Sequence, residues 1–437
     1  EQVSIGLPER YRSQEVAGAT TPVGSLLEVV VWLVGIMQDS VGLPVVEPGK
    51  AFMLRDASPS ASSRDIDHWL LALPSFAPRA AELALREVMR LANLLADDGG
   101  RSGFADHDMK ALDVVLDEIA KLAPTGTNTH RLLRTALQRQ IPMMSLPGGV
   151  WQFGWGCNAR VFKSSLSDAT SSIGTAWAKN KMQTNQLLRM AGLPVPEQIM
   201  VRDLEMALRE AARIGFPVVL KPADLDQGLG VEAGLSNTTE LKAAFKRVSA
   251  RRRRILLEKH IDGQDVRINV VNGKFQDAIA RYPAGVTGDG VRSVADLISA
   301  TNRDPRRSER RFADMRPLTL NDEAHELLKA QELSTGSVPQ TNQFVRLRRA
   351  ANVSSGGQTM GVSDELHPDN ARLSEQVAKL LRLDIAGIDL LIPDHTRSWR
   401  EVGGAICEVN AQPQVGLTYP KIYDHLFDSF LSGQGRI

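Results

Sequence analysis

The chain has 437 residues, enough for two to four compact units at roughly 100–200 residues per domain. Its 43% hydrophobic and 24% charged residues exclude a disordered chain, and 52 Lys and Arg against 51 Asp and Glu exclude an overtly basic nucleic-acid binder, though not a local basic patch. Two cysteines, Cys157 and Cys407, exclude a disulfide framework or a cysteine-rich zinc site and suit a reducing compartment, for which the cytoplasm is the expectation. The apolar run Leu26 to Met37 contains Glu28 and falls short of the roughly 20 residues that cross a bilayer, and no secretory pattern opens the chain.

In chain order, residues 1–150 carry 14 basic against 18 acidic side chains, and the remainder 38 against 33. A polar stretch at Ser58 to Arg64 precedes two amphipathic patterns, Ala80 to Ala96 and Leu112 to Leu122, the second stopped by Pro124 and Gly126. The run Val29 to Val34 reads equally as a strand or a buried helix. From about residue 150 helices alternate with strands. A helix pattern spans Thr175 to Ala191 and ends at Gly192; another, Leu204 to Arg213, ends at Gly215. Phe216 to Lys221 and Ile255 to Glu258 read as strands. Asn272-Gly273 joins Val266–Val271 to Phe275–Arg281 in a hairpin, because both turn residues tolerate positive φ. A helix at Leu373 to Leu383, strands at Ile385 to Ile392 and Ala405 to Val409, and a helix at Ile422 to Leu431 follow. His367-Pro368-Asp369-Asn370 reads as a helix start. The whole is α+β with antiparallel pairs.

Several residues carry chemistry. Asp389 interrupts an apolar strand, and Glu408 and Asn410, two apart on the next, leave the same face. Such hard oxygen donors suit Mg²⁺, with one buried Asp and two solvated side chains as the ordinary alternative. Lys221 ends a strand before the glycine turn Gly228-Leu229-Gly230, an arrangement that can meet phosphates or be a plain turn. Lys181 reads as a phosphate ligand or a surface lysine. Glu258 and Asp265 are acceptors suited to ribose or adenine groups, and Arg267, Arg281 and Arg348 can fork onto phosphate or carboxylate. Asn352 to Gly357 is a small-residue loop able to cradle an anion. Arg251 to Arg254 is a solvated loop or a polyanion contact. No HExxH pair or phosphate-loop signature occurs.

The order of these signals resembles the ATP-grasp superfamily of carboxylate–amine ligases, most closely the ATP-grasp domain of cyanophycin synthetases and, second, that of bifunctional glutathione synthetases. The matching text includes Trp151–Gly156, Leu166–Ser171, Ala191–Pro196, Val218–Pro222, Tyr282–Gly290, Ala351–Gly357, His367–Asn370, Leu383–Asp389 and Glu408–Asn410, collinear over about residues 145–430. Gly126 to Ile141 carries a fainter likeness to the domain that precedes it in cyanophycin synthetases.

The resemblance implies an ATP-grasp fold, two α+β lobes holding ATP between them, over residues 151–437, preceded by a smaller α/β domain over 1–150. The ATP-binding lobe would run from about 175 to 262, and the metal and substrate lobe from about 263 to 437. It implies Lys181 and Lys221 on the ATP phosphates, Gly228 and Gly230 in a mobile loop over them, Glu258 with Lys259 to Ile261 at the adenine, and Asp265 at the ribose. Asp389, Glu408 and Asn410 would hold Mg²⁺, with Mn²⁺ the alternative. Arg348 and Arg281 would be catalytic, and Arg267, Arg281, Ser354, Ser355 and Gly356 would face the substrate. The implied activity is an ATP-dependent ligase joining a carboxylate of an amino acid or short peptide to an amine through an acyl phosphate. The implied partners are small molecules, with a homo-oligomer expected and neither membrane nor nucleic acid. Alternatives are a biosynthetic-cluster ligase for an unusual or carrier-bound acyl group and a degenerate nucleotide-binding protein. The Mur-ligase-like domain of cyanophycin synthetases is not expected in this text, so two-step polymerisation by the chain alone is not expected either. Asn185, where these relatives often carry Lys, and Gln414, in place of a glycine, mark drift near the substrate end.

Overall fold

The computed structural model describes residues 22–47, 49–54, 68–97, 103–223, 230–251, 254–304, 306–308, 315–348, 351 and 356–431. The polar stretch at 58–64, Gly228, Arg252 and Arg253 of the basic run, Ser354 and Ser355 lie outside them. Two compact units divide the chain, Glu1–Trp155 and Gly156–Ile437.

In the first unit the ambiguous apolar run is a helix, Pro22–Ser40. Val30, Val34 and Met37 recur at helical spacing and bury one stripe against Ala80, Ala84 and Val88 of helix Pro78–Asp97 and Leu112, Leu116 and Ile119 of helix Asp106–Lys121. Two antiparallel strand pairs, Lys50–Leu54 with His68–Ala72 and Met143–Leu146 with Val150–Phe153, complete it with helix Thr127–Gln138.

The second unit holds two antiparallel sheets. In the smaller, the strands run in the order Gln198–Val201, Ile255–Lys259, Val218–Pro222, Glu232–Leu235. Helices Leu204–Ile214 and Thr238–Arg251 cover one face, where Ala207, Ala211, Leu241 and Ala244 meet Val218, Leu220, Ile255 and Leu257. In the larger, the order is Gln358–Gly361, Lys274–Tyr282, Gln264–Val271, Ile385–Ile392, Ala405–Asn410. Helix Pro368–Leu381 covers one face, packing Leu373, Val377 and Leu381 on Val266, Ile268, Ala278 and Ile388. The hairpin turn has φ of 48° at Asn272 and 71° at Gly273, as its sequence requires. Alternation then sends the other set of side chains on each sheet to the opposite face.

Two expectations change, and one feature is new. The pattern from Thr175 to Ala191 is two helices, Ser172–Ala178 and Lys181–Met190. Asn180 is extended and its Oδ1 accepts from Gln183 N–H at 3.2 Å, capping the second helix and leaving Lys181 at its first turn. The helix expected at Leu373 to Leu383 starts earlier and ends earlier, at Pro368–Leu381, because Arg382 turns left-handed with φ 54°. Between the larger sheet's strands sits a small subdomain that the pattern did not reveal. Strands Gly285–Thr287 and Phe344–Arg346 pair there beside helices Val294–Thr301 and Asp322–Ala330, around Val286, Leu297, Leu328 and Val345.

Candidate active site

The register of the larger sheet gathers Asp389, Glu408 and Asn410. Asp389 lies directly opposite Glu408 and Gly387 opposite Asn410, so all three functional side chains leave the face away from the helix. The register shifts after Asp389, leaving Cys407 unpaired between the Asp389–Glu408 and Leu390–Ile406 pairs. On the neighbouring strand Arg267 stands opposite Asp389, and Asp265 stands opposite Arg281 one strand further.

These positions form a buried charge network. Arg267 forks onto Asp389 through Nε and through Nη2, the latter 3.0 Å from Oδ2. Arg281 Nη2 lies 2.7 Å from Asp265 Oδ1 and 2.9 Å from Asp389 Oδ2. Burial opposes ionisation of Asp389, but the Arg267 and Arg281 guanidiniums outweigh it and hold its carboxyl below the usual range. Burial dominates at Asp265 and raises its carboxyl despite Arg281. Arg281 is held firmly protonated: burial works against the charge, and Asp389 and Asp265 overcome it.

Two lysines approach from other elements. Lys181, at the start of its helix, lies 3.1 Å from Glu408 Oε1. Lys221 Nζ lies 2.7 Å from Glu258 Oε1, on the helix-free face of the smaller sheet. Lys259, next to Glu258, turns to the backbone instead, donating to Gly215 O at 3.0 Å and Phe216 O at 3.2 Å. Cys407 joins the two groups electrostatically. Burial pushes its thiol up, Lys221 opposing and Glu258, Asp265 and Asp389 reinforcing.

Asp389, Glu408 and Asn410 present oxygen donors on one face, and the buried Asn410 Nδ2 has no hydrogen-bond partner. Amide oxygen and nitrogen exchange places by a flip, so this position accommodates an acceptor facing a cation. Among the described residues no three His, Cys, Asp or Glu side chains gather around one point. The set therefore fits a cation that takes one or two carboxylates and completes its shell with water and phosphate oxygens.

Arg348 is elsewhere. It is buried in the small subdomain, where Nη2 donates to Thr319 O at 2.9 Å and Oγ1 at 2.7 Å, and Nη1 donates to Leu347 O. Burial lowers its pKa, with Glu323 acting in the opposite sense. Gly356 lies at the same subdomain: Arg307, also buried, donates to its carbonyl at 3.0 Å. Arg307 was missed because nothing in the arginine-rich stretch from Arg303 to Arg311 singles out one arginine for burial. Also missed was the fully buried Asn269–Asp277 pair, with Asn269 Nδ2 3.1 Å from Asp277 Oδ1 on the same face as the charge network. Asn185 Nδ2 donates to Pro196 O at 2.8 Å, a structural bond, and Gln414 is exposed.

Residues 187–284 match the family described as D-ala D-ala ligase C-terminus, a stretch that contains Lys221, Glu258, Asp265, Arg267 and Arg281. The chain is 34% identical over 344 residues to the cyanophycin synthetase of Synechocystis sp., covering 77% of this chain and 38% of that protein. It is 33% identical over 273 residues to a bifunctional glutathione biosynthesis protein of Enterococcus faecalis, covering 59% of this chain and 34% of that one. The crystal structure of a bifunctional glutathione synthetase from Pasteurella multocida superposes with TM-score 0.54 at 23% identity, over 81% of this chain and 52% of that one. The chain has the ATP-grasp fold and is similar in sequence to ligases that carry it. The chain spans less than two fifths of the length of the curated cyanophycin synthetase it matches. In this fold each of the two antiparallel sheets has one face sealed by helices and a second face that carries the polar residues. No helix among the described residues is long and apolar enough to cross a membrane.

Proposed function

We propose that the chain is an ATP-dependent carboxylate–amine ligase that forms an amide or peptide bond through an acyl phosphate. The observation that carries this reading is the double pairing of Lys181 with Glu408 and Lys221 with Glu258. It sets two ammonium groups suited to phosphate beside carboxylates suited to a metal or a nucleoside.

The chemistry follows from charge. A carboxylate is a poor electrophile. Its oxygen attacks the terminal phosphorus of ATP, the bond to ADP breaks, and an acyl phosphate results. The amine attacks the acyl carbon, the tetrahedral adduct expels phosphate, and nitrogen releases a proton. Such phosphoryl transfer depends mostly on positioning and electrostatics. Lys181 and Lys221 would bind the phosphates, with Gly230 in the loop beside them. Glu258 and Asp265 would serve the nucleoside. Mg²⁺ would be held by Asp389, Glu408 and Asn410 and would offset phosphate charge, a role for which Mn²⁺ is the alternative.

Arg267 and Arg281 keep Asp389 ionised, and Arg281 would also face the acyl group. Arg348, buried in the small subdomain, would act from there. An amino acid or short peptide is the proposed acyl donor, acting in a cytoplasmic homo-oligomer.

The test is ADP release with Mg²⁺-ATP against a panel of amino acids and short peptides, with mass detection of products. A product whose mass is the sum of one pair less water supports the ligase. Tight ATP binding without ADP release for any pair would favour a nucleotide-binding protein instead.

A further inference from the structure

A cavity of about 700 Å³ opens in the second unit, at the C-terminal end of helix Pro368–Leu381 and beside the hairpin turn of the larger sheet. The helix turns Leu373, Val377 and Leu381 inward and Arg372, Gln376 and Lys379 outward. The outward residues line the cavity together with Arg382, Lys274 from the hairpin turn, and Arg160. Five basic side chains thus meet two acids, Glu375 and Asp384.

Both acids are already engaged. Glu375 Oε1 accepts from Phe275 N–H at 3.0 Å, and Asp384 Oδ2 accepts from Ser167 Oγ at 2.5 Å. Arg372 pairs with Asp369 at 2.6 Å. Lys274, Lys379 and Arg382 have no ion-pair partner among the described residues. Lys379 and Arg382 complement the C-terminal dipole of the helix, but that does not account for Lys274.

The shape selects among anions. Arg372 and Lys379 are seven residues apart, about 10 Å along the axis, and Arg382 extends the row further. One phosphate cannot span such a row. An extended peptide, whose alternate side chains project about every 7 Å on one side, can. The only aromatic side chain lining the cavity, Phe162, is buried, so no exposed ring offers the stacking that single-stranded nucleic acid uses. Asn272 and Gln376 add amide groups suited to a peptide backbone.

We propose that this cavity is a docking site for an extended acidic peptide, separate from the nucleotide site. The inference does not depend on the ligase reading, and its test uses no nucleotide. Fluorescein-labelled hexaglutamate is titrated into the full chain and followed by anisotropy, with hexalysine, inorganic phosphate and a single-stranded oligonucleotide as comparisons.

Saturable binding of hexaglutamate that weakens with salt is expected, with no binding of hexalysine. The Lys274→Glu/Lys379→Glu/Arg382→Glu variant should bind at least about tenfold more weakly. The milder Lys274→Gln/Lys379→Gln pair, checked by circular dichroism, should fall between the two. Absence of hexaglutamate binding, unchanged binding in both variants, full competition by equimolar phosphate, or tighter binding of the oligonucleotide would each overturn the proposal.

Discussion

Lys221 Nζ and Glu258 Oε1 lie 2.7 Å apart, diagonally across two paired strands, with both side chains buried. The face they share is the one the two helices leave uncovered, since Leu220 and Leu257 take the covered side. A buried ion pair of this kind adds little net stability, because desolvation offsets the attraction; removing one partner alone is costly.

Lys221→Met should therefore lower unfolding stability by about 3–5 kcal/mol, leaving Glu258 buried without a cation. The Lys221→Met/Glu258→Leu double variant should recover most of that loss in urea titrations. ATP-dependent ADP release should stay low in both. Recovery of activity along with stability would remove Lys221 from phosphate binding.

Asp389 and Glu408 share a sheet face but not an environment, and the difference is measurable. Asp389 compensates two buried guanidiniums, whereas Glu408 meets Lys181 and is 30% exposed at its side chain. Asp389→Ala should cost about 3–5 kcal/mol in denaturant unfolding, against about 1 kcal/mol or less for Glu408→Ala. Glu408→Ala should abolish metal-dependent ADP release in a protein that still folds. Turnover near that of the unsubstituted chain would take Glu408 out of the metal site.

Much of this site was legible because strands alternate. Glu408 and Asn410 declare a common face by being two apart, and the Asn272-Gly273 turn fixes the hairpin that carries Arg267 and Arg281. What did not show was register between strands far apart in the chain. Arg267 and Asp389 are 122 residues apart, and nothing local announces that they are opposite one another. The break at Asn180 was hidden for a different reason. The apolar spacing continues through it, and the cap forms from one side-chain oxygen that propensity does not weigh. The small subdomain was hidden because its strands are only three residues long, too short to show alternation.

The helix that precedes Lys181 depends on a glycine. A Cβ at Gly174 would stand 1.8 Å from the Leu381 carbonyl oxygen, at the end of the helix that covers the larger sheet. Gly174→Ala should destabilise the chain by about 1–3 kcal/mol, because backbone rather than a flexible side chain must move. Gly336→Ala, where a Cβ meets nothing within 4 Å, should stay within about 0.5 kcal/mol. Equal melting temperatures for the two variants would contradict this packing.

Asp277 gives the fold a pH signature. Burial pushes its carboxyl up to about 6, with the Asn269 hydrogen bond and Arg267 opposing. The folded chain therefore holds a proton that the unfolded chain has released between about pH 4 and 6. Its contribution to stability is complete below about pH 4 and declines as pH rises to about 6, by roughly 2–3 kcal/mol in total. Paired carboxylates such as Asp389, whose pKa is lowered, change in the opposite sense, so the informative quantity is the difference from Asp277→Asn. That variant has no charge to bury, and its amide can donate to Asn269 Oδ1, a buried acceptor with no partner. Asp277→Asn should gain stability over the unsubstituted chain as pH rises from 4 to 7, measured by urea unfolding at each pH. A difference that stays flat across that range would mean that Asp277 is ionised in the folded chain throughout, and that burial does not govern it.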